Sequence, residues 1–246
     1  MPPNSAALEV CVDTAEGLSA CQIHADRIEL CSALELGGLT PSPGLLAIAR
    51  DSKVPVHAMI RPRAGDFSYD DHDLEACLQD IAAVHAAGLA GVVLGAFKDR
   101  ELDLVALAKM RAAAGDMACT LHRVIDLVDH PLRALEDAIA LGFDRILTSG
   151  GAVRAPDGID GLAALQGAAA GRITVMAGSG VTAQNLGDIA AKTGIYAFHA
   201  SCSLPVAQGH EEQAFGFATA SRNRTDPARI AQMRAAIDAL PGVTSP

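Results

Sequence analysis

The 246-residue sequence has no tryptophan, two tyrosines and six phenylalanines. So few flat rings exclude the stacking platforms on which single-stranded nucleic acids lie. No block of lysine or arginine stands out, and the formal net charge is −10. That balance gives no general attraction for nucleic acid or an anionic membrane, though it leaves room for a local basic pocket. No apolar run approaches the ~20 residues of a membrane span. The opening MPPNSAALEV lacks the basic and long apolar segments of a secretory leader. The six cysteines (11, 21, 31, 77, 119 and 202) form no Cys-x-x-Cys pair. They read as reduced thiols of a cytoplasmic protein. There is no dinucleotide-binding Gly-x-Gly-x-x-Gly opening and no P-loop, and GSGV at 178–181 does not match a Gly-x-Ser-x-Gly nucleophile elbow.

Half of the residues are hydrophobic and 20% are charged, so a sizeable core is available. Short β-like runs begin near Leu8, Arg27, Val56, Gly91, Ala118, Arg145, Ile173 and Ala197. Helix patterns lie between most of them. DDHDLEACLQDIAAVHAAG places Leu74, Leu78, Ile81 and Val84 at helical spacing and ends at Gly88. DHPLRALEDAIALG starts a helix at Pro131 with Leu132, Leu135 and Ile139 on one face. VTAQNLGDIAAKTG has Thr182 as its N-cap and Gly194 as its stop. Eight alternations at this length predict a (β/α)8 TIM barrel, a single domain over 1–246 with the barrel at about 8–240. The rival is an open doubly wound sheet, for which the glycine-rich opening is missing. The last residues, PGVTSP, read as loose.

A barrel explains an odd alternation. Glu9 and Cys11 alternate with Leu8, Val10 and Val12, and Arg27, Glu29 and Cys31 alternate with Ile28 and Leu30. With the apolar set against the helices, the polar set points into the lumen. The same pattern turns His57, Met59 and Arg61 inward from the third strand, Thr120 and His122 from the fifth, and His199 and Ser201 from the eighth. Chemistry in such barrels sits at the C-terminal strand ends. There, Arg61 and Arg63 offer guanidinium forks for a carboxylate or phosphate, unless Arg61 only neutralises Glu9 or Glu29. His122, Arg123 and Asp126 stand within five residues, and His199 reaches the same rim, a set suited to acid–base chemistry. Ser149, Gly150 and Gly151 follow strand six, Gly178 and Gly180 follow strand seven, and Ser201 follows strand eight. These turns could cradle an anion on backbone N–H groups, or could be ordinary tight turns.

LEVCVD, ADRIELCSAL, GGLTPSPGL, MIRPRAGDF, HRVID, LGFDRILTSGG and FHAS together resemble the CutC family over about residues 8–201. The resemblance implies a cytoplasmic TIM barrel assigned to copper handling. Carried over by position, its polar rim is Glu9, Glu29, Arg61, His122, Arg123, Asp126, Ser149 and His199, and its barrel cysteines are Cys11 and Cys31. The chain departs from the pattern in HASCSL, which lacks the basic residue that commonly follows. Two functions are expected. One is copper homeostasis, with Cys11 and Cys31 holding Cu(I), a soft ion that prefers sulfur, and Met59 adding a thioether. The other is an enzyme acting on a small anionic or phosphorylated metabolite through Glu, Arg and His groups. Its partners are then a small anionic ligand or a copper ion, and possible homo-oligomer partners; nucleic acid and membrane are not expected.

Overall fold

The computed structural model describes residues 6–241. The first and last five residues, including most of the C-terminal PGVTSP, lie outside it. Eight strands form a closed parallel barrel: β1 (Ala7–Val12), β2 (Arg27–Leu30), β3 (Val56–Met59), β4 (Gly91–Leu94), β5 (Ala118–Leu121), β6 (Arg145–Thr148), β7 (Thr174–Ala177) and β8 (Ala197–Ala200). Each pairs in parallel with its sequence neighbours, and β8 closes on β1. The main helices between strands are α1 (Ala15–Ala20), α2 (Pro43–Ala49), α3 (Asp71–Ala86), α4 (Leu104–Ala114), α5 (Pro131–Ala140), α6 (Ile159–Ala169) and α7 (Leu186–Thr193). After β8 the chain makes an antiparallel hairpin of β9 (Ser203–Ala207) and β10 (Ser221–Thr225), with the short α8 (His210–Ala214) between them. Helix α9 (Pro227–Asp238) ends the described chain. No helix among the described residues is long and apolar enough to cross a membrane.

Two-residue alternation divides the barrel as expected. Leu8, Val10, Val12, Ile28, Leu30, Val56, Ala58, Ile60 and Phe198 belong to the large core packed between strands and helices. Each such side chain contributes about 1.5–3 kcal/mol on burial. Helix starts follow their caps. Asp70 accepts from His72 N and Asp73 N at the start of α3, and Pro131 opens α5. The buried face of α5 is Ala134, Leu135 and Ala138, while Leu132 is exposed. The expected Leu132–Leu135–Ile139 face is therefore shifted toward Ala134 and Ala138, with Ile139 only partly buried. Thr182 does not cap α7. Its N–H is taken by Asn185 Oδ1 at 2.8 Å, and the helix starts at Leu186 after that turn.

Candidate functional site

The register brings Glu9 opposite both Arg27 and His199, and Glu29 opposite both Cys11 and His57. Arg27 Nε donates to Glu9 Oε2. His199 Nδ1 lies 2.7 Å from Glu9 Oε1, and its Nε2 lies 3.8 Å from Glu29 Oε2. Burial alone would raise the Glu9 carboxyl, but Arg27 and His199 hold it well below the usual carboxylate range. Burial opposes charge on His199, yet Glu29, Cys11 and Glu9 hold its pKa well above 6.5. Glu29 goes the other way. Burial pushes its carboxyl up, His199 opposes this, Glu9 reinforces it, and the net direction is upward. Its Oε1 is buried without a partner among the described residues. Arg27, which the sequence turned inward without a functional role, is thus the cation that neutralises Glu9.

Arg61 pairs with neither glutamate. It is 5% exposed and forms no ion pair among the described residues. Its Nη1 donates to Leu36 O and Gly38 O at 2.8 and 3.2 Å, its Nη2 donates to Gly65 O at 2.7 Å, and its Nε has no partner. The glycine-rich turn after β2 therefore serves as a carbonyl cradle for this guanidinium. Arg61 Cζ lies 4.8 Å from the centre of the Phe67 ring, whose other neighbour is His122 at 4.7 Å between centroids. His122 Nδ1 accepts from Val124 N at 3.1 Å. Burial, with Arg61 adding to it, lowers its pKa to about 3. A neutral ring accepting at Nδ1 carries its proton on Nε2, and that nitrogen has no partner. His122 is therefore neutral near neutral pH, with Nε2–H as its donor. Gly95 makes room for it, since a Cβ there would lie 2.4 Å from His122 Cε1.

These groups face one cavity of about 940 Å³ at the C-terminal mouth of the barrel. Its lining includes Cys11, Glu29, Arg61, His122, Ser201 and His199. The loop after β7 contributes Ser179, Gly180 and Val181, and α9 contributes Arg229. Arg229 donates to Ser203 O at 2.9 Å. It brings a positive charge to the cavity rim from the last helix. Phe67 and Arg229 were missed at the sequence level, because their strand-end neighbours are set by loop and helix packing rather than by strand alternation.

The loop after β6 is differently occupied. The Asp126 carboxylate accepts from Thr148 Oγ1 at 2.6 Å, from Ser149 N at 3.0 Å, from Ser149 Oγ at 2.9 Å and from Gly151 N at 3.0 Å. It also accepts from Arg123 Nε at 2.9 Å. Gly150 N is taken by Thr148 Oγ1. The chain's own carboxylate fills this nest of N–H groups, and Gly150 and Gly151 line a separate small recess. Gly178 is not part of the cavity lining either; its N–H donates to Thr148 O. Arg63 is likewise engaged, by Asp73 and Asp66, away from the cavity. Of the expected anion-binding set, the cavity keeps Gly180 and Ser201.

Cys11 and Cys31 do not stand at matching register positions. Cys11 is opposite Glu29, and Cys31 lies two residues further along, its N–H bonded to Val12 O. Barrel shear staggers neighbouring strands in this way. Cys31 donates to Glu29 Oε2 at 3.5 Å and packs with Met59 and Val93. The group able to hold a metal is Cys11, Glu29 and His199, with one sulfur.

The fold and cavity define a (β/α)8-barrel protein with a cavity lined by charged groups at the C-terminal ends of its strands. The chain belongs to the CutC family, whose sequence model matches residues 6–204. It is 52% identical over 240 residues to a family protein CutC of Sinorhizobium medicae, covering 96% of this chain and 98% of that one. A Caulobacter vibrioides relative is 47% identical over 238 residues, covering 95% and 97%. Among solved structures, a Streptococcus agalactiae CutC, described provisionally as a copper homeostasis protein, superposes with a TM-score of 0.76 at 30% identity, covering 80% of this chain and 98% of that chain.

Proposed function

We propose that this protein is an enzyme acting on a small anionic metabolite, phosphorylated or carboxylated. The anionic group is held by Arg61 and the Nε2–H of His122, and the reacting part faces Glu29, Cys11 and His199. The observation that carries this reading is Arg61. A guanidinium removed from water without a carboxylate costs several kcal/mol. Arg61 bears that cost with its Nε buried and unpaired, and the residue lines a cavity large enough for a metabolite. An arriving anion supplies the missing partner. Arg229 at the rim can take a second negative group. The Glu29–His199 pair supplies groups that exchange protons with the ligand.

A second reading, copper handling, is supported by the description of the S. agalactiae relative and by the Cys11–Glu29–His199 group. The expected Cys11–Cys31 pair is diagonal rather than directly opposed, with Cys31 two residues further along and bonded to Glu29.

The two readings separate in one experiment. The protein and Arg61→Lys are screened by calorimetry against a panel of phosphorylated and carboxylate metabolites. The enzyme reading expects a ligand whose affinity falls at least about tenfold when the bidentate fork becomes a point charge. Equal affinity in the two proteins, or no ligand from the panel, overturns it.

A further inference from the structure

Cys11, Glu29 and His199 each direct one ligand-capable atom toward the others, and these three atoms lie within 4.8 Å of one another. Each residue sits on a different barrel strand or strand neighbour, and all three line the cavity. The donors are supported from behind. Glu9 grips His199 Nδ1 at 2.7 Å and is itself held by Arg27, which leaves Nε2 free to face Glu29. A carboxylate on the far nitrogen is the usual support of a metal-ligating imidazole. The Cys31 thiol donates a weak hydrogen bond to Glu29 Oε2 at 3.5 Å. A separate observation points to a missing ligand. Glu29 is 3% exposed, lines the cavity, and has an Oε1 with no partner among the described residues.

We propose that Cys11, Glu29 and His199 bind one divalent cation of the zinc type, with a fourth coordination position open to the cavity. Three protein ligands plus an open position is the pattern of catalytic rather than structural zinc. Tetrahedral bonds of ~2.0–2.3 Å place ligand atoms roughly 3.3–3.8 Å apart, so a contraction of about 1 Å at the widest pair closes this set around an ion. One sulfur with one nitrogen and one oxygen suits a borderline cation, and it does not fit a two-thiolate Cu(I) site. On binding, the ion displaces the thiol proton of Cys11 and any proton on Glu29 or on His199 Nε2, and these leave to solvent. The inference deepens the proposed function in one respect, since the open position faces the anion held at Arg61. Cation binding itself requires no anion.

The test is a Co²⁺ titration of metal-free protein, followed by visible and near-ultraviolet absorption, with Zn²⁺ as competitor. The expected result is one equivalent bound, with a thiolate-to-cobalt band that Zn²⁺ removes. Cys11→Ser loses the band. Glu29→Gln binds at least about tenfold more weakly, at the scale of a lost metal-site group, while its melting temperature shows that it is folded. Cys31→Ser keeps the band, because serine still donates to Glu29. Absence of stoichiometric binding overturns the proposal, as does a band that survives Cys11→Ser. So does anaerobic Cu(I) binding that needs both cysteines in a protein that does not take up Co²⁺. Anion binding is measured separately on metal-free protein. An anion that binds Arg61 without any cobalt site sinks this inference alone, and a cobalt site without anion binding sinks the enzyme reading alone.

Discussion

Asp126 and Glu29 are carboxylates that line the same cavity, and the chain treats them oppositely. Asp126 receives hydrogen bonds from Thr148, Ser149, Gly151 and Arg123, and both of its oxygens are used. Glu29 has one weak thiol donor, a histidine at 3.8 Å and an oxygen with no partner. Arg123 and Arg61 repeat the contrast: the first is paired with Asp126, and the second has no carboxylate. A group whose every lone pair is satisfied by its own chain has a structural task. A buried group left with an unpaired polar atom gains no stability from it. On the proposed function, Arg61 and Glu29 keep those atoms for a ligand, while Asp126 and Arg123 line the same cavity with their hydrogen bonds already made.

Breaking the satisfied side should have the largest effect. Asp126→Ala removes the acceptor from the Ser149 and Gly151 amides and from two hydroxyls at once. It should cost about 3–5 kcal/mol in chemical denaturation, as for a buried charged network that loses one member. A loss below about 1 kcal/mol would mean that the Asp126 network is dispensable.

The buried imidazoles sharpen the contrast through pH. His122 and His57 both fall to about 3, mainly through burial. An unfolded chain takes up these protons below about 6.5, and the folded one does not until about 3. Their contribution is therefore complete above about 6.5 and lost as pH falls toward 3, up to about 3 kcal/mol per ring by pH 4. Denaturation of His122→Gln against the parent between pH 6.5 and 5 should show the slope reduced by up to one proton. Parallel curves would mean that His122 titrates normally.

Gly95→Ala should cost about 1–3 kcal/mol by overpacking, because its Cβ would meet the His122 ring and, at 2.8 Å, Val124 Cγ1. Faster hydrogen exchange of the Val124 amide would report the displaced ring, and unchanged exchange would contradict the packing. The smallest stability effect belongs to the unsatisfied side. Glu29→Gln should change stability by less than about 1 kcal/mol, because little holds the carboxylate in place.

Strand alternation made much of this legible before any coordinates. The inward set Glu9, Cys11, Glu29, Arg61, His122 and His199 follows from a two-residue period and a closed barrel, and the strand starts fall within a residue or so of those observed. Properties that depend on three-dimensional stagger or on loop paths were not legible. Matching Glu-x-Cys segments suggested a thiol pair, but shear set Cys11 against Glu29. Glycines after β6 suggested an anion cradle, and nothing local revealed that Asp126, more than twenty residues earlier, fills it. Phe67 enters from a loop and Arg229 from the last helix, and neither carries a strand-end signature. The neutral tautomer of His122 depends on one backbone N–H, which no sequence pattern encodes.

The most direct measurement is a crystal structure of the protein with the anionic metabolite that calorimetry selects. The account predicts density for the anionic group against Arg61 Nε and His122 Nε2, with the rest of the molecule directed at Glu29 and the Asp126 network undisturbed. An anion seated on Gly150 and Gly151 with Asp126 displaced would contradict it, as would one confined to the outer surface.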